Sequence, residues 1–306
     1  MKAIDLFAGA GGFSAGAKMA GVEVVWAGNH WPAAVGIHQL NHPNAIHVCQ
    51  DLHQARWSDV PVHDLLLSSP CCQGHSRARG KANGDPQHDA SRSTAWAVVS
   101  ALEFHRPPFG VVENVPEFML WSLFPAWCQA LTSLGYAIAP HVVDAADHGV
   151  PQNRKRLFII LTRSQHPLEL QFPKRKHVPA RTIVDWNSGK WSQIDRPGRS
   201  AATLERVRNG RSVFGDRFLA PYYGSGSGKT GRSVDRPIGT ITTFDRWALI
   251  DGDRMRMLSV PEARRAMSFP SDYILPAQPK DAMMMLGNAV PPPVARDFIE
   301  AIRRAA

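Results

Sequence analysis

The residues best suited to covalent chemistry are two adjacent thiols, Cys71 and Cys72. They follow the apolar run 64–67, which predicts a buried strand, and Pro70 with Gly74 turns the chain out of the sheet. In open α/β sheets, ligands bind just beyond the carboxyl ends of the strands. A thiolate at that edge is a candidate nucleophile, although buried cysteines more often serve packing.

A carboxyl group and two guanidinium groups occupy similar edge positions. Glu113 ends the apolar run 109–112, where burial could keep its carboxyl partly protonated and able to donate a proton. A helix cap or a salt bridge would explain the same residue. Arg154 and Arg156 alternate along a predicted strand, so their side chains share a face.

The first turn of the chain has the layout of a nucleotide-cofactor site. A short strand, residues 3–7, leads into the glycine-rich stretch 8–16 and then into a helical stretch, 15–20. Glycines let the backbone approach a ligand, and a helix start offers free N–H groups. Ser14 replaces the third glycine of a dinucleotide fingerprint, and Asn29 stands where an acid would hold ribose, so a dinucleotide site is the weaker reading.

Composition bounds the class of protein. The 306 residues are 44% hydrophobic and 20% charged, with a net charge of +9 and a pI near 9.7, which favours a folded protein that binds polyanions. Four cysteines, no signal peptide and no apolar run of membrane-spanning length predict a cytoplasmic protein. His38, His42 and His47 lack companion ligands, so we expect ordinary histidines and no metal.

The pattern predicts strands at 3–7, 23–26, 45–49, 64–67, 109–112, 136–143 and 156–161. Helices are expected at 15–20, 32–40, 94–104, 120–134, 254–273 and 294–301. Residues 165–245 are rich in Arg, Pro, Gly and Ser, which predicts a separate, smaller and irregular unit. Its interleaved aromatic and basic residues suit nucleic acid. The basic stretch 77–85 predicts a loop.

Five motifs together resemble those of the cytosine-C5 DNA methyltransferases, and they occur in the order of that family. They are Asp-Leu-Phe-Ala-Gly-Ala-Gly-Gly at 5–12, Pro-Cys-Cys-Gln-Gly-His-Ser at 70–76, Glu-Asn-Val at 113–115, Gln-Asn-Arg-Lys-Arg at 152–156 and Gly-Asn-Ala-Val-Pro-Pro at 287–292. The flanking residues align Cys72 with the nucleophile and Cys71 with a usual second proline. His75 replaces a common aromatic residue, and Asn29 replaces the usual acid.

The resemblance implies roles for individual residues. Catalysis would fall to Cys72, Glu113, Arg154 and Arg156. S-adenosylmethionine would contact Phe7, Ala8, Gly9, Gly11, Gly12, Asn29, His30, Asp51, Leu52, Pro70, Asn288 and Ala289. DNA would contact Gln73, His75, Ser76, Arg77, Arg79 and Lys81.

The resemblance also implies a fold and an activity. We expect a Rossmann-like α/β methyltransferase sheet from residues 1–165 and 275–306, with a smaller, irregular target-recognition domain from 166–274. The monomeric enzyme would methylate C5 of a flipped cytosine in a short duplex sequence, within a restriction-modification or phage DNA-modification system. A tRNA methyltransferase, a weakly active DNA-binding protein and a nicotinamide-dependent oxidoreductase remain alternatives.

Overall fold

The computed structural model describes residues 1–71, 94–173, 175–222 and 230–306. Within them, a seven-stranded sheet has the order β3-β2-β1-β4-β5-β7-β6. Its strands are β1 (Lys2–Leu6), β2 (Glu23–Asn29), β3 (Ile46–Cys49), β4 (Leu65–Ser68), β5 (Phe109–Asn114), β6 (Ala137–Asp144) and β7 (Lys155–Thr162). The seven strands expected from the sequence are thus present, which confirms the predicted fold class.

The described helices are α1 (Gly12–Met19), α2 (Pro32–Asn41), α3 (Ala95–His105), α4 (Phe124–Ser133), α5 (Ala201–Phe214), α6 (Val260–Ala266), α7 (Pro279–Asn288) and α8 (Pro292–Ala305). Short 3-10 turns lie at Leu52–Gln54, Trp57–Asp59, Pro116–Leu120, Ala145–His148 and Ala180–Thr182. None of these helices combines the length and the apolar character that spanning a bilayer would need.

The period-two pattern of β7 shows how the sheet is buried on both faces. Leu157, Ile159 and Leu161 pack into the apolar core that includes α3 and α4. Phe158 and Ile160 point the other way, into the core that includes α1 and α8. Successive side chains of a strand lie on opposite faces, so a strand covered on both sides is apolar throughout.

Strand direction brings the functional motifs to one edge. The strands β1 to β5 run parallel to one another, whereas β7 runs antiparallel to β5 and β6. The carboxyl end of β5 therefore lies beside the amino end of β7, with Glu113 paired to Phe158 and Asn114 to Leu157. The Gln-Asn-Arg-Lys-Arg stretch at 152–156 is thus delivered next to Glu113.

The C-terminal helix packs back on the sheet, as predicted. α8 lies directly on α1, and a Cβ added at Gly16 would stand 2.4 Å from the Cβ of Ala295. A Cβ added at Gly12 would stand 1.9 Å from the Val290 carbonyl oxygen. Both glycines permit a close approach that any side chain would block.

The smaller unit is more regular than the sequence indicated. Its four-stranded antiparallel sheet has the order β8-β11-β10-β9, formed by β8 (Ser192–Gln193), β9 (Arg217–Pro221), β10 (Trp247–Asp251) and β11 (Arg254–Met257). Helix α5 packs on β9 through Val207 and Phe218. The strands are too short and too charged to leave long apolar runs in the sequence.

Two predicted helices are wrong in their extent. Residues 254–273 form β11 and the short α6 rather than one helix, because Ser259 and Glu262 make a capping box that starts α6 after the strand. The region 120–134 is divided between the 3-10 turn that ends at Leu120 and α4, which begins at Phe124.

Candidate active site

The exits of β4 and β5 are tied together by Asn114. Its side-chain amide donates to the Pro70 carbonyl at 3.2 Å, and its Oδ1 accepts from the Val115 N–H at 2.8 Å. Nearby, the Cys71 N–H donates to the Thr94 hydroxyl oxygen at 3.0 Å. Cys71 and Thr94 are the described residues on either side of the stretch 72–93. Two motifs that are far apart in sequence therefore meet at the edge where Cys72 follows Cys71.

The predicted nucleophile and the predicted DNA contacts lie outside the described residues. They are Cys72, Gln73, His75, Ser76, Arg77, Arg79 and Lys81. Their roles stay predictions.

Glu113 and Arg156 form an ion pair at this edge. The Nε atom of Arg156 lies 3.3 Å from Oε1 of Glu113, whose side chain is 8% exposed. Burial raises the pKa of Glu113 above its usual range, while the charges of Arg156 and Arg154 oppose that rise. Burial favours the protonated form of this carboxyl, and the guanidinium orients it, which suits a residue that donates a proton.

Arg154 has a different place from Arg156. It is 2% exposed, and its guanidinium donates to the carbonyls of Ile241, Gly287 and Ala289 at 2.8–3.0 Å. Its backbone N–H donates to Asp144 at 2.8 Å. These bonds suit a residue that holds the closing motif, 287–292, against the sheet; a direct contact with a base stays a prediction.

Gln152 connects the large sheet to the smaller unit through hydrogen bonds, a role that was not predicted from the sequence. The buried side chain accepts from the Ile241 N–H at 2.8 Å and donates to the Ala266 carbonyl at 3.0 Å. Its position at the start of the 152–156 motif was the only signal in the sequence. The motif therefore joins the large sheet to residues 238–241 and 266–267 as well as supplying Arg156.

Three of the predicted cofactor residues, Ala8, Gly9 and Asn29, line a recess beyond β1 and β2, together with residues that include Gly28. Phe7, Gly9 and Gly11 have φ angles of +60°, +52° and +82°. For Phe7 that backbone is costly, and such strain concentrates at binding sites.

The glycine-rich turn offers one test of fit for S-adenosylmethionine. A Cβ added at Gly9 would meet only the Phe7 carbonyl oxygen, at 3.7 Å, so the space above this glycine is not filled by protein. The left-handed glycines and the start of α1 expose backbone there, an arrangement suited to a ligand that carries a carboxylate. The chemistry of the turn therefore fits the cofactor that the motifs imply.

The polar residues around the recess are partly committed to the protein itself. Oδ1 of Asn29 accepts from the Trp31 N–H at 2.9 Å. Asp51 caps the turn at 52–54 by accepting from the His53 N–H at 3.0 Å, while His30 is exposed. Asp51 therefore caps a turn, and its contact with the cofactor stays a prediction.

The remaining predicted cofactor residues lie close to these elements. Leu52, Pro70 and Ala289 are buried, and Asn288 is the exposed last residue of α7. Gly287 packs so tightly that an added Cβ would lie 2.3 Å from the backbone of Thr242 and Thr243. The contact of each residue with the cofactor stays a prediction.

Comparison with known proteins identifies the family. The model of the C-5 cytosine-specific DNA methylase family matches residues 1–304. The type II methyltransferase M.HgiDI of Herpetosiphon aurantiacus is 31% identical over 297 residues, covering 95% of this chain and 90% of that protein. M.MthTI of Methanothermobacter thermautotrophicus is 28% identical over 330 residues, covering 99% and 97%.

Solved structures of the same fold match along nearly the whole chain. The methyltransferase EhMeth of Entamoeba histolytica gives a TM-score of 0.71 at 16% identity, covering 99% of this chain and 98% of that one. A DNMT2 mutant from Spodoptera frugiperda gives 0.70 at 17% identity, covering 99% of each. The match over residues 1–304 and the relatedness to M.HgiDI establish that the chain belongs to the C-5 cytosine-specific DNA methylase family.

Proposed function

We propose that this protein transfers a methyl group from S-adenosylmethionine to C5 of a cytosine in a specific short sequence of duplex DNA. The observation that carries the proposal is the ion pair between the buried Glu113 and Arg156. It lies at the sheet edge where Asn114 bonds to Pro70 and where Cys71 bonds to Thr94. A proton donor therefore lies at the sheet edge that Pro70 and Cys71 reach.

The chemistry follows from the weak nucleophilicity of cytosine C5. Addition of the Cys72 thiolate at C6 makes C5 enamine-like and able to accept a methyl group. Glu113 donates a proton to N3, which removes the negative charge that the addition creates. S-adenosylmethionine supplies the electrophilic methyl group when it is bound. Loss of the C5 proton, for which water is a suitable acceptor, then permits release of Cys72.

Arg156 has two tasks in this scheme. Its guanidinium orients the Glu113 carboxyl, and it offers N–H donors toward the carbonyl of the flipped cytosine. Arg154 and Gln152 act indirectly, because they hold the closing motif and residue 241 against the sheet. Because the reacting atoms are inaccessible within a duplex, the base must leave the stack.

Duplex DNA suits the charge of the chain. The net charge of +9 favours a polyanion, and arginines stack on partly exposed tryptophans of the smaller unit. Relatives named type II methyltransferases support a role in a restriction-modification or phage DNA-modification system.

Transfer of labelled methyl groups to unmethylated duplex DNA and, in parallel, to tRNA tests the function. Label at 5-methylcytosine in one short context, located by bisulfite sequencing, is the expected result. Label only on tRNA, or on neither substrate, would contradict the proposal. Cys72→Ser should abolish turnover while the matched Cys71→Ser keeps most of it; equal losses in two folded proteins would contradict the choice of thiol.

A further inference from the structure

Three ring side chains converge beneath the glycine-rich turn. The space below Gly11 is closed by Tyr273, His38 and His42, which a Cβ added there would meet at 2.5–3.0 Å. The Tyr273 hydroxyl donates to the Ala10 carbonyl at 2.5 Å and lies 3.0 Å from Nε2 of His42. Because the phenol has one hydrogen, His42 must donate to the phenol oxygen. The backbone of the turn therefore rests on polar side chains rather than on an apolar core.

The start of α1 is capped from a neighbouring strand. Gly11 occupies the cap position and has no side chain to offer. Asp5 of β1 takes over this task, because its Oδ2 accepts from the Ser14 hydroxyl at 2.7 Å and the carboxyl also accepts from the Ser14 backbone N–H. Asp5 is 1% exposed, so its contacts with Ser14 connect the two elements that flank the turn.

A chain of hydrogen bonds runs from this carboxyl toward the surface. Nε2 of His38 lies 2.9 Å from the Ser14 hydroxyl oxygen, and its Nδ1 lies 2.8 Å from Nε2 of His47. His38 is buried, whereas His47 is only partly buried. The sequence suggested ordinary histidines here, and the structure shows two of them linked in series.

The charge of Asp5 fixes the direction of every hydrogen in the chain. When Asp5 is ionised, Ser14 donates to it, His38 donates from Nε2 to Ser14, and His47 donates from Nε2 to His38. A proton that arrives at His47 can pass along by one transfer at each link. His47 gives its Nε2 hydrogen to His38, His38 gives its own to Ser14, and Ser14 gives its hydroxyl hydrogen to Asp5. One proton enters, Asp5 becomes neutral, and each intermediate group ends uncharged.

We propose that Asp5, Ser14, His38 and His47 are positioning residues for the glycine-rich turn, and that protonation of Asp5 through this chain makes S-adenosylmethionine affinity depend on pH. The inference rests on the proposed use of this cofactor. An ionised Asp5 holds the start of α1 with two charge-assisted bonds, and a neutral Asp5 holds it less firmly. Cofactor affinity therefore falls as the pH falls.

The surrounding groups favour a transition near neutral pH. Burial raises the pKa of Asp5 to about 7, although its bonds with Ser14 oppose the rise. Burial also lowers the pKa of His42 to about 4, that of His38 well below its usual range, and that of His47 below its usual value. The charged or titratable groups facing the chain are Lys18 of α1, His38 and His42 of α2, His47 of β3, and Tyr273. Asp5 is therefore the group that changes charge near pH 7.

Calorimetric titration of S-adenosylmethionine into the full-length protein from pH 5.5 to 8.5 tests the proposal. For wild type we expect the Kd to rise by up to about tenfold per pH unit below pH 7, the limit for one linked proton. Asp5→Asn removes the group that titrates, so it should bind more weakly at pH 8 and show a flatter profile. The titration of the ligand itself is common to all variants and cancels in the comparison.

Two further variants keep the result interpretable. Tyr273 supports the same turn but does not belong to the hydrogen-bonded chain. Tyr273→Phe should therefore weaken binding equally at every pH. His63→Gln removes another buried histidine, one that bonds to the Pro61 carbonyl far from the turn, and should match wild type. Parallel profiles for wild type and Asp5→Asn, or a wild-type Kd that is independent of pH, would overturn the proposal while methyl transfer to DNA still stood.

Discussion

The edges of the two sheets use arginine differently. At the edge of the large sheet, Arg154 is buried and donates to three backbone carbonyls, so its charge supports the structure. On the smaller sheet, Arg217 and Arg254 share the Asp251 carboxylate, stack on tryptophans and keep about half of their side-chain surface exposed. A buried guanidinium must find partners because it has lost water, whereas an exposed one stays available to a polyanion.

The smaller unit also contains one buried ion pair. Arg256 donates to both carboxylate oxygens of Glu262 at 2.7 Å, and Glu262 in turn accepts from Ser259 and Asp185 backbone N–H groups. This pair fixes the start of α6 beside β11. Whether an arginine supports the structure or stays available to a polyanion therefore depends on its burial and not on the unit that contains it.

Glu113→Gln tests the catalytic side of the comparison and should have the largest effect. The amide cannot donate an acidic proton to N3, so we expect kcat to fall by roughly 10²–10⁴-fold. Single-turnover methyl transfer measures the loss, and circular dichroism checks that the fold is retained. A variant that keeps more than a tenth of wild-type turnover would contradict the role of Glu113 as the proton donor.

Arg154→Met tests the structural side. Three buried carbonyls would lose charged donors, which predicts a loss of about 3–5 kcal/mol in the free energy of unfolding. Urea denaturation measures the change. The matched variant Arg156→Met should cost much less stability, because Arg156 is partly exposed, and should instead reduce turnover. Equal stability losses would contradict the division between the two residues.

His63→Gln tests whether buried histidines set the pH dependence of stability. Burial lowers the pKa of His63 to about 4, although its bond to the Pro61 carbonyl opposes the shift. The folded protein therefore keeps His63 neutral where the unfolded chain takes up a proton, and this contribution is lost as the pH falls from about 6.5 to about 4. We expect the variant to lose up to about 3 kcal/mol less than wild type over that range.

Urea denaturation at pH 7 and pH 4.5 measures the difference between the two proteins. His177→Gln provides the control, because that imidazole is half exposed in its pair with Asp147. A pH profile of His63→Gln that coincides with that of wild type would contradict the assignment.

Arg217→Ala should have the smallest effect. Its side chain is 60% exposed, so its ion pair with Asp251 should contribute less than about 1 kcal/mol to the free energy of unfolding. The same denaturation experiment checks this value. A loss comparable to that of Arg154→Met would erase the contrast between the exposed and buried arginines.

Much of the large sheet could be predicted because its signals are local. Short apolar runs predicted the strands. Glu113 and the glycine-rich turn were predicted as parts of the site because both lie where a strand ends. The smaller sheet was missed because its strands are short and bear arginine on alternate or terminal positions, as in β11. The helix predicted at 254–273 is wrong for the same reason. The capping box of Ser259 and Glu262 indicates a helix start only when the residues before it are recognised as a strand.

The sequence by itself determined the order of motifs, the positive charge and the residue types that could do the chemistry, because these depend on neighbours along the chain. Only the tertiary structure decided that Arg156 reaches Glu113 while Arg154 turns toward residues 241, 287 and 289. It also decided that Asp5, Ser14, His38 and His47 form one chain beneath the turn. Such contacts join residues of distant elements, and their pairing is set by strand order and close packing rather than by sequence spacing.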